Sequence, residues 1–208
     1  MKEWSTLKKL IWLKRTALSG PALPDGYEKL KYVTFDGATY VQTGASIDQN
    51  CVAKVKFRPT AIDSNHCVYR YTITGNAESF ACYFTSQGYT RTYVTTQTVY
   101  ETLAENIWHT VENGKSGASF DGSFKAYGDV SDFTCPYPLR IGTQVSSNGG
   151  IGTGKYAGDM AFFKITKNGV AVIDYVPAKR TADNVVGFYD LANDMFIEPE
   201  SGTLTGPT

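Results

Sequence analysis

The seven residues 149–155, GGIGTGK, have the G-x-x-x-x-G-K spacing of a phosphate-binding loop. Such a loop needs a Ser or Thr next, for magnesium, and a helix whose N-terminal amides face the phosphate. Here Tyr156 comes next, and the segment that follows, YAGDMAFFKIT, has the composition of a strand. We therefore interpret residues 149–154 as a flexible loop between strands and predict no nucleotide site.

Carboxylates are the second group of residues that could do chemistry. Glycoside hydrolysis needs two of them about 5–9 Å apart across a groove. The closest acid clusters lie beside Gly, Pro or Asn, where carboxylates solvate turns; they are Asp129/Asp132, Asp190/Asp194 and Glu198/Glu200. We predict no enzyme, no metal and no cofactor. The alternative is a calcium ion held by Asp190, Asn193 and Asp194, which also have the pattern of a hairpin turn.

The histidines do not form a catalytic pattern with a nucleophile. His66 directly precedes Cys67, so on a strand the two would point to opposite faces, and His109 alternates with Trp108 as a packed strand residue. The chain has four cysteines without a C-x-x-C pair: Cys51, Cys67, Cys82 and Cys135. The first three fall at apolar positions of predicted strands, which favours buried thiols over the alternative of a disulfide framework.

One segment, YTRTYVTTQTVY at residues 89–100, has a hydroxyl or an aromatic ring at nearly every position. Tyrosine rings present flat apolar surfaces with a polar edge, which suits sugar rings. We predict that Tyr89, Arg91, Tyr93 and Gln97 of this strand contact a glycan. The alternatives are a plain solvent-facing strand rich in Thr and Tyr, or a contact with another protein.

The elements that must position these residues are strands. Two-residue turns are indicated at Asp121-Gly122 and Asn168-Gly169. Lys plus Arg equals Asp plus Glu at 20 each, so there is no net charge to attract nucleic acid or an anionic membrane. Many short antiparallel strands predict a two-sheet β-sandwich. The strand signals cover residues 30–36, 39–43, 51–58, 67–74, 79–85, 91–100 and 107–112.

The N-terminal segment is of a different kind. Residues 4–18 are predicted to form a short amphipathic α-helix, ended by Gly20 and Pro21. Its apolar side consists of Trp4, Leu7, Leu10, Ile11 and Leu18. Lysines interrupt any signal-peptide core, and no stretch is long enough to span a membrane. We predict that residues 1–22 serve assembly or anchoring; packing on the chain's own β-domain and binding to a membrane surface remain alternatives.

Three segments then carry a resemblance to a known family. They are LPDGYEKLKYVTFDGATYVQTG (23–44), IWHTVENGKSGASFDGSF (107–124), and the C-terminal run with VIDYVPAKRTADNVVGFYDLANDMF and SGTLTG. Together they resemble the laminin-G-like, concanavalin A-like jelly rolls encoded by bacteriophages and by gut-bacterial prophages. The likeness covers about residues 23–206, so residues 23–208 are predicted to form one jelly-roll domain.

The resemblance implies two sheets of six or seven strands packed face to face. It also implies a non-enzymatic virion protein that acts in decoration, in a fibre or in tail adhesion. Its expected partners are other virion subunits, or copies of itself as a homotrimer, and a glycan on the host surface. The expected location is the virion. The alternatives are a free-standing bacterial carbohydrate-binding module or a glycoside hydrolase.

Overall fold

The described residues of the computed structural model are 22–64, 66–72 and 78–207, and all their regular structure is β. The predicted helix and its residues Trp4, Leu7, Leu10, Ile11 and Leu18 lie outside them. No helix in the described part of the chain has the length and hydrophobicity needed to span a membrane.

The described residues form eighteen strands, which we number in chain order. They are β1 (Tyr27–Lys29), β2 (Val33–Asp36), β3 (Val41–Gln42), β4 (Cys51–Pro59), β5 (Cys67–Thr72), β6 (Glu78–Phe84), β7 (Thr90–Val94), β8 (Gln97–Glu101), β9 (His109–Gly114), β10 (Gly117–Phe120), β11 (Ser123–Ala126), β12 (Arg140–Ile141), β13 (Thr143–Val145), β14 (Ile151–Lys155), β15 (Ala157–Lys167), β16 (Val170–Arg180), β17 (Val186–Asp190) and β18 (Met195–Ile197).

The strands form two sheets, which confirms the predicted β-sandwich. The ten-stranded sheet has the order β11-β10-β9-β4-β15-β16-β17-β18, with β1 on β16 and β2 on β15. The eight-stranded sheet has the order β14-β13-β5-β6-β7-β8, with β12 between β3 and β5. Pairing among the described strands is antiparallel except between β13 and β5.

The sheets contain more strands than the six or seven that the resemblance implies. The additional strands are short, and they pair one after another with the same edge of a long strand. β2 pairs with residues 157–160 of β15, and β16 pairs with residues 163–167 of the same strand. The sandwich therefore keeps the predicted layers, with its sheets more finely divided.

Alternation along the strands builds the core. In β4, the residues Cys51, Ala53, Val55 and Phe57 are buried and alternate with residues that are more exposed. Aromatic side chains fill much of the space between the sheets. The largest fully buried ones are Tyr69, Tyr71, Tyr156, Tyr175, Phe35, Phe57, Phe80, Phe84, Phe120, Phe163 and Phe188.

The two predicted hairpin turns are confirmed. Asp121-Gly122 joins β10 to β11, and Asn168-Gly169 joins β15 to β16. All four residues have positive φ, between 50° and 89°, as a two-residue turn of this kind requires.

The predicted loop at residues 149–154 is only partly a loop. Gly149 lies in a turn, but Ile151–Lys155 form β14, an edge strand paired with β13. Gly154 allows β14 to lie close to Cys67 of β5, since a Cβ at Gly154 would lie 3.0 Å from Cβ of Cys67. Because the segment is a strand and no helix follows it in the described chain, it lacks the geometry of a phosphate loop.

Candidate functional site

The segment predicted as one strand over residues 91–100 is a hairpin. β7 ends at Val94, β8 begins at Gln97, and Thr95 and Thr96 form the turn, with Thr95 at a φ of 53°. Neither turn residue is Gly, Asn or Asp, so the sequence carried no ordinary turn signal. As a result, Arg91 lies opposite Tyr100 instead of nine positions along the same strand.

The hairpin separates the four predicted glycan contacts. Tyr89, Arg91 and Tyr93 alternate with the buried residues Thr90, Thr92 and Val94, so they lie on the outer face of the eight-stranded sheet. Gln97 pairs with Val94 and lies on the inner side, where its Oε1 accepts a hydrogen bond from the amide of Gly128 at 3.1 Å. Gln97 therefore holds a loop and lies on the opposite face of the sheet from the other three.

Tyr93, predicted as a glycan contact, lies beneath the Arg91 guanidinium and not at the surface. It is only 3% exposed, and the Arg91 guanidinium lies over its ring at 4.6 Å from the centroid. Tyr93 packs with Cys67, Ala81 and Tyr83 in a small buried cluster separate from the main core. Cys67 reaches this face, away from Tyr69, because the register shifts between the two residues.

Arg91 lies at the centre of a group of tyrosines, which we call the Arg91 cluster: Arg91, Tyr83, Tyr93, Thr98 and Tyr100. Its guanidinium lies 5.6 Å from the ring centroid of Tyr83 and 5.4 Å from that of Tyr100. One Nη donates to the Tyr83 hydroxyl at 2.5 Å and the other to Thr98 Oγ1 at 3.3 Å. Cation–π attraction and these hydrogen bonds fix the guanidinium in place.

Cross-strand pairing explains how three strands place these side chains together. Arg91 of β7 pairs with Tyr83 of β6 and with Tyr100 of β8. Two residues further along β7, Tyr93 pairs with Ala81, whose small side chain leaves room beside the tyrosine rings. Directly opposite side chains on one face of a sheet are close enough to interact.

The exposed part of this face is a shallow depression beside the Arg91 cluster. It has a volume of about 440 Å³ and is lined by Gln87, Tyr89 and Tyr100. The two tyrosines are 44% and 45% exposed. We define the candidate site as Gln87, Tyr89, Arg91 and Tyr100. Gln87 and Tyr100 were not predicted from the sequence, and a turn placed at Thr95-Thr96 would have indicated Tyr100.

The site is anchored to the other sheet through the edge strand β8. Lys125 of β11 donates to the backbone oxygen of Tyr100 at 2.5 Å and forms an ion pair with Glu101 at 2.9 Å. The hydrogen bond from Lys125 is the main reason that the pKa of Glu101 lies below its ordinary value. The backbone under Tyr100 is thus held from both sheets.

The Asp190 and Asp194 carboxylates considered for calcium accept hydrogen bonds within the protein. The Asp190 carboxylate accepts hydrogen bonds from the amides of Asp174 and Ala192, both at 3.0 Å, and from the side chain of Asn193 at 2.7 Å. Asp194 accepts from the Tyr189 hydroxyl, which raises the pKa of Tyr189 to about 12. Within residues 22–64, 66–72 and 78–207, no group of three or more His, Cys, Asp or Glu side chains is placed to hold a metal.

The histidines and cysteines have structural contacts. His66 bonds to Asp63 at 2.8 Å, and His109 bonds to Asp121 at 2.7 Å and to the backbone oxygen of Ala104 at 2.8 Å. All four cysteines are buried thiols that form no disulfide. Burial raises the pKa of Cys82 far above its ordinary value, which keeps this thiol protonated.

Comparison with known proteins bears on the fold. No family model and no curated protein matches the sequence. A Bacteroides ovatus protein, provisionally described as carbohydrate-binding, matches 86% of this chain over 60% of its own length, with 12% identity and a TM-score of 0.60. Domains LG4-5 of the mouse laminin alpha1 chain match 91% of the chain over 51% of their own length, with 13% identity and a TM-score of 0.45. At 12% identity the first likeness concerns the fold alone, which is the sandwich predicted from the sequence.

Proposed function

We propose that this chain is a non-enzymatic carbohydrate-binding module that binds a sugar at Gln87, Tyr89, Arg91 and Tyr100. The observation that carries the proposal is the pair of half-exposed tyrosine rings beside an arginine fixed on a sheet. A sugar ring stacks its apolar face on such rings, and its hydroxyls bond to neighbouring polar side chains. The fold shared with a protein provisionally described as carbohydrate-binding adds support.

The absence of catalysis is part of the same proposal. The depression is lined by Gln87, Tyr89 and Tyr100, none of which carries a carboxylate. Glu101 of β8 is engaged by Lys125 of the other sheet. Glycoside hydrolysis needs two carboxylates across the bound sugar, which these residues do not provide.

A glycan array with the full-length chain, followed by calorimetry on the strongest hit, tests the binding. We expect Tyr100→Ala to raise the dissociation constant about tenfold or more, since a stacked aromatic ring contributes more than about 1 kcal/mol to binding. Trp108→Ala is the matched control, because Trp108 packs against Lys56 and Arg58 of the other sheet, and should bind within about twofold of the parent. Equal losses in both variants, or release of reducing ends from the ligand, would overturn the proposal.

We further propose that the module belongs to a phage or prophage-derived virion, with residues 1–20 attaching it to the particle as a homotrimer. The support is the sequence resemblance over residues 23–206 and the amphipathic pattern of the N-terminal segment. Light scattering measures the mass in solution. We expect a trimeric mass for the full chain and a monomeric mass for a chain beginning at Leu23. Electron microscopy of particles that lack the protein should show missing density, and unchanged density would exclude a place on the virion.

A further inference from the structure

The charge of Arg91 is not balanced by a carboxylate within the described residues. An arginine has five N–H donors. Arg91 uses one for the Tyr83 hydroxyl and one for Thr98, both neutral, and its buried Nε has no hydrogen-bond partner. Three other arginines each contact carboxylates: Arg58 with Asp159, Arg140 with Glu200, and Arg180 with Asp183 and Glu198.

A second guanidinium group lies on this face. The Arg70 guanidinium lies 4.6 Å from the ring centroid of Tyr83, the same ring that Arg91 contacts. Burial lowers the pKa of Arg70, and the positive charge of Arg91 acts in the same direction. Two guanidinium groups therefore lie around one tyrosine ring.

We propose that the sugar bound at this site is acidic: a pyranose that carries a carboxylate, which Arg91 binds while the ring stacks on Tyr100. This inference rests on the proposed carbohydrate-binding function. The planar fork of a guanidinium matches a carboxylate in shape, and charge-assisted hydrogen bonds are the stronger kind. The Tyr100 ring centroid lies 5.4 Å from the Arg91 guanidinium, so the proposed stacking surface and the proposed carboxylate ligand are neighbours.

The test compares each acidic glycan with the same glycan after its carboxylates are reduced to alcohols. The probes are oligogalacturonates and sialylated oligosaccharides, their reduced forms, and sulfated oligosaccharides that lack carboxylates. For the full-length protein, we expect reduction to weaken binding about 10- to 100-fold, the range for a hydrogen bond to a charged group. Arg91→Gln should bind the acidic form as weakly as the reduced form.

Two further variants keep the test decisive. Arg91→Lys preserves the charge without the planar fork, so it should retain part of the preference for the acidic form. Arg180→Gln is the matched control, since Arg180 lies on the other sheet and faces its own carboxylates, and it should keep the full preference. Thermal unfolding of each variant shows that it is folded.

The outcomes separate this inference from the function on which it rests. Equal binding of the acidic and reduced glycans by the parent protein overturns the acidic ligand and leaves the carbohydrate-binding function standing. Binding of the sulfated probes alone overturns the carboxylate as the recognised group. If no glycan of any kind binds, the carbohydrate-binding function itself fails, and this inference fails with it.

Discussion

The outer faces of the two sheets carry arginine–aromatic clusters built from the same kinds of residue. On the ten-stranded sheet, the Arg58 guanidinium lies 5.5 Å from the ring centroid of Tyr32 and 5.2 Å from that of Trp108. We call these residues, with Asp159, the Arg58 cluster. The eight-stranded sheet carries the Arg91 cluster, in which the guanidinium lies over three tyrosine rings.

The two clusters differ in whether a carboxylate of the protein accepts hydrogen bonds from the arginine. Asp159 is 7% exposed and accepts hydrogen bonds from Nε of Arg58 at 2.8 Å and from Thr34 Oγ1 at 2.6 Å. The Arg58 cluster is therefore complete within the protein, whereas Arg91 bonds only to neutral hydroxyls in the described chain. We expect the complete cluster to contribute to folding stability, and we propose that the incomplete one serves a ligand. The residue types alone do not distinguish the two roles.

The largest predicted effect on stability comes from removing the carboxylate. Asp159→Ala leaves the Arg58 charge and the Thr34 hydroxyl without their acceptor. Since Arg58 is partly exposed, we expect a loss of about 2–3 kcal/mol in the free energy of unfolding, below the range for a fully buried pair. Urea denaturation measures it. The control is Asp174→Ala, which breaks the more exposed pair with Lys164 and should lose no more than about 1 kcal/mol.

Arg91→Leu is expected to have a smaller effect. Leucine keeps apolar contact with the tyrosine rings, and no buried carboxylate loses its partner. We expect a loss of about 1 kcal/mol, from the cation–π contacts and two hydrogen bonds to hydroxyls. The same urea titration measures it. A loss as large as that of Asp159→Ala would show that the Arg91 cluster is also structural.

The turns differ between the two sheets as well, and this limits what the sequence reveals. Asn168-Gly169 and Asp121-Gly122 were correctly predicted because their residues tolerate positive φ. Thr95-Thr96 was missed because threonine is ordinarily a strand residue. That error placed Gln97 on the same face as Arg91 and left Tyr100 out of the candidate site.

Register decides the rest of the site, and it is not visible in local patterns. The layers and the core positions followed from alternation, as in β4. The contact of Arg91 with Tyr83 depends on pairing between strands, and the position of Cys67 depends on a shift within β5. Pairing and bulges are set by the whole sandwich, so the sequence indicated an aromatic, polar segment without its geometry.

Replacing Thr95 in the turn between β7 and β8 is predicted to increase the stability of the protein. A β-branched residue at a φ of 53° is unusual, and its hydroxyl is buried without a hydrogen-bond partner. Thr95→Gly removes both costs, and we expect the free energy of unfolding to rise by about 0.5–1 kcal/mol. Thr96→Gly is the matched control and should lower it, since Thr96 does not have a positive φ. Equal changes in the two variants would contradict the strained turn.

The smallest change in stability is predicted for the variant that converts one cluster into the other. Thr98 lies on the outer face with its Oγ1 3.3 Å from Nη2 of Arg91, so Thr98→Asp places a carboxylate where Asp159 stands in the Arg58 cluster. The new ion pair is partly exposed and aspartate is a weak strand former, so we expect a net change within about 0.5 kcal/mol.

Acidic glycans should then bind to Thr98→Asp no better than their reduced forms, because the new carboxylate neutralises Arg91. Thr98→Asn, equal in size and uncharged, should keep the preference for the acidic form. If Thr98→Asp also keeps it, the absence of a carboxylate beside Arg91 is not what distinguishes the two faces.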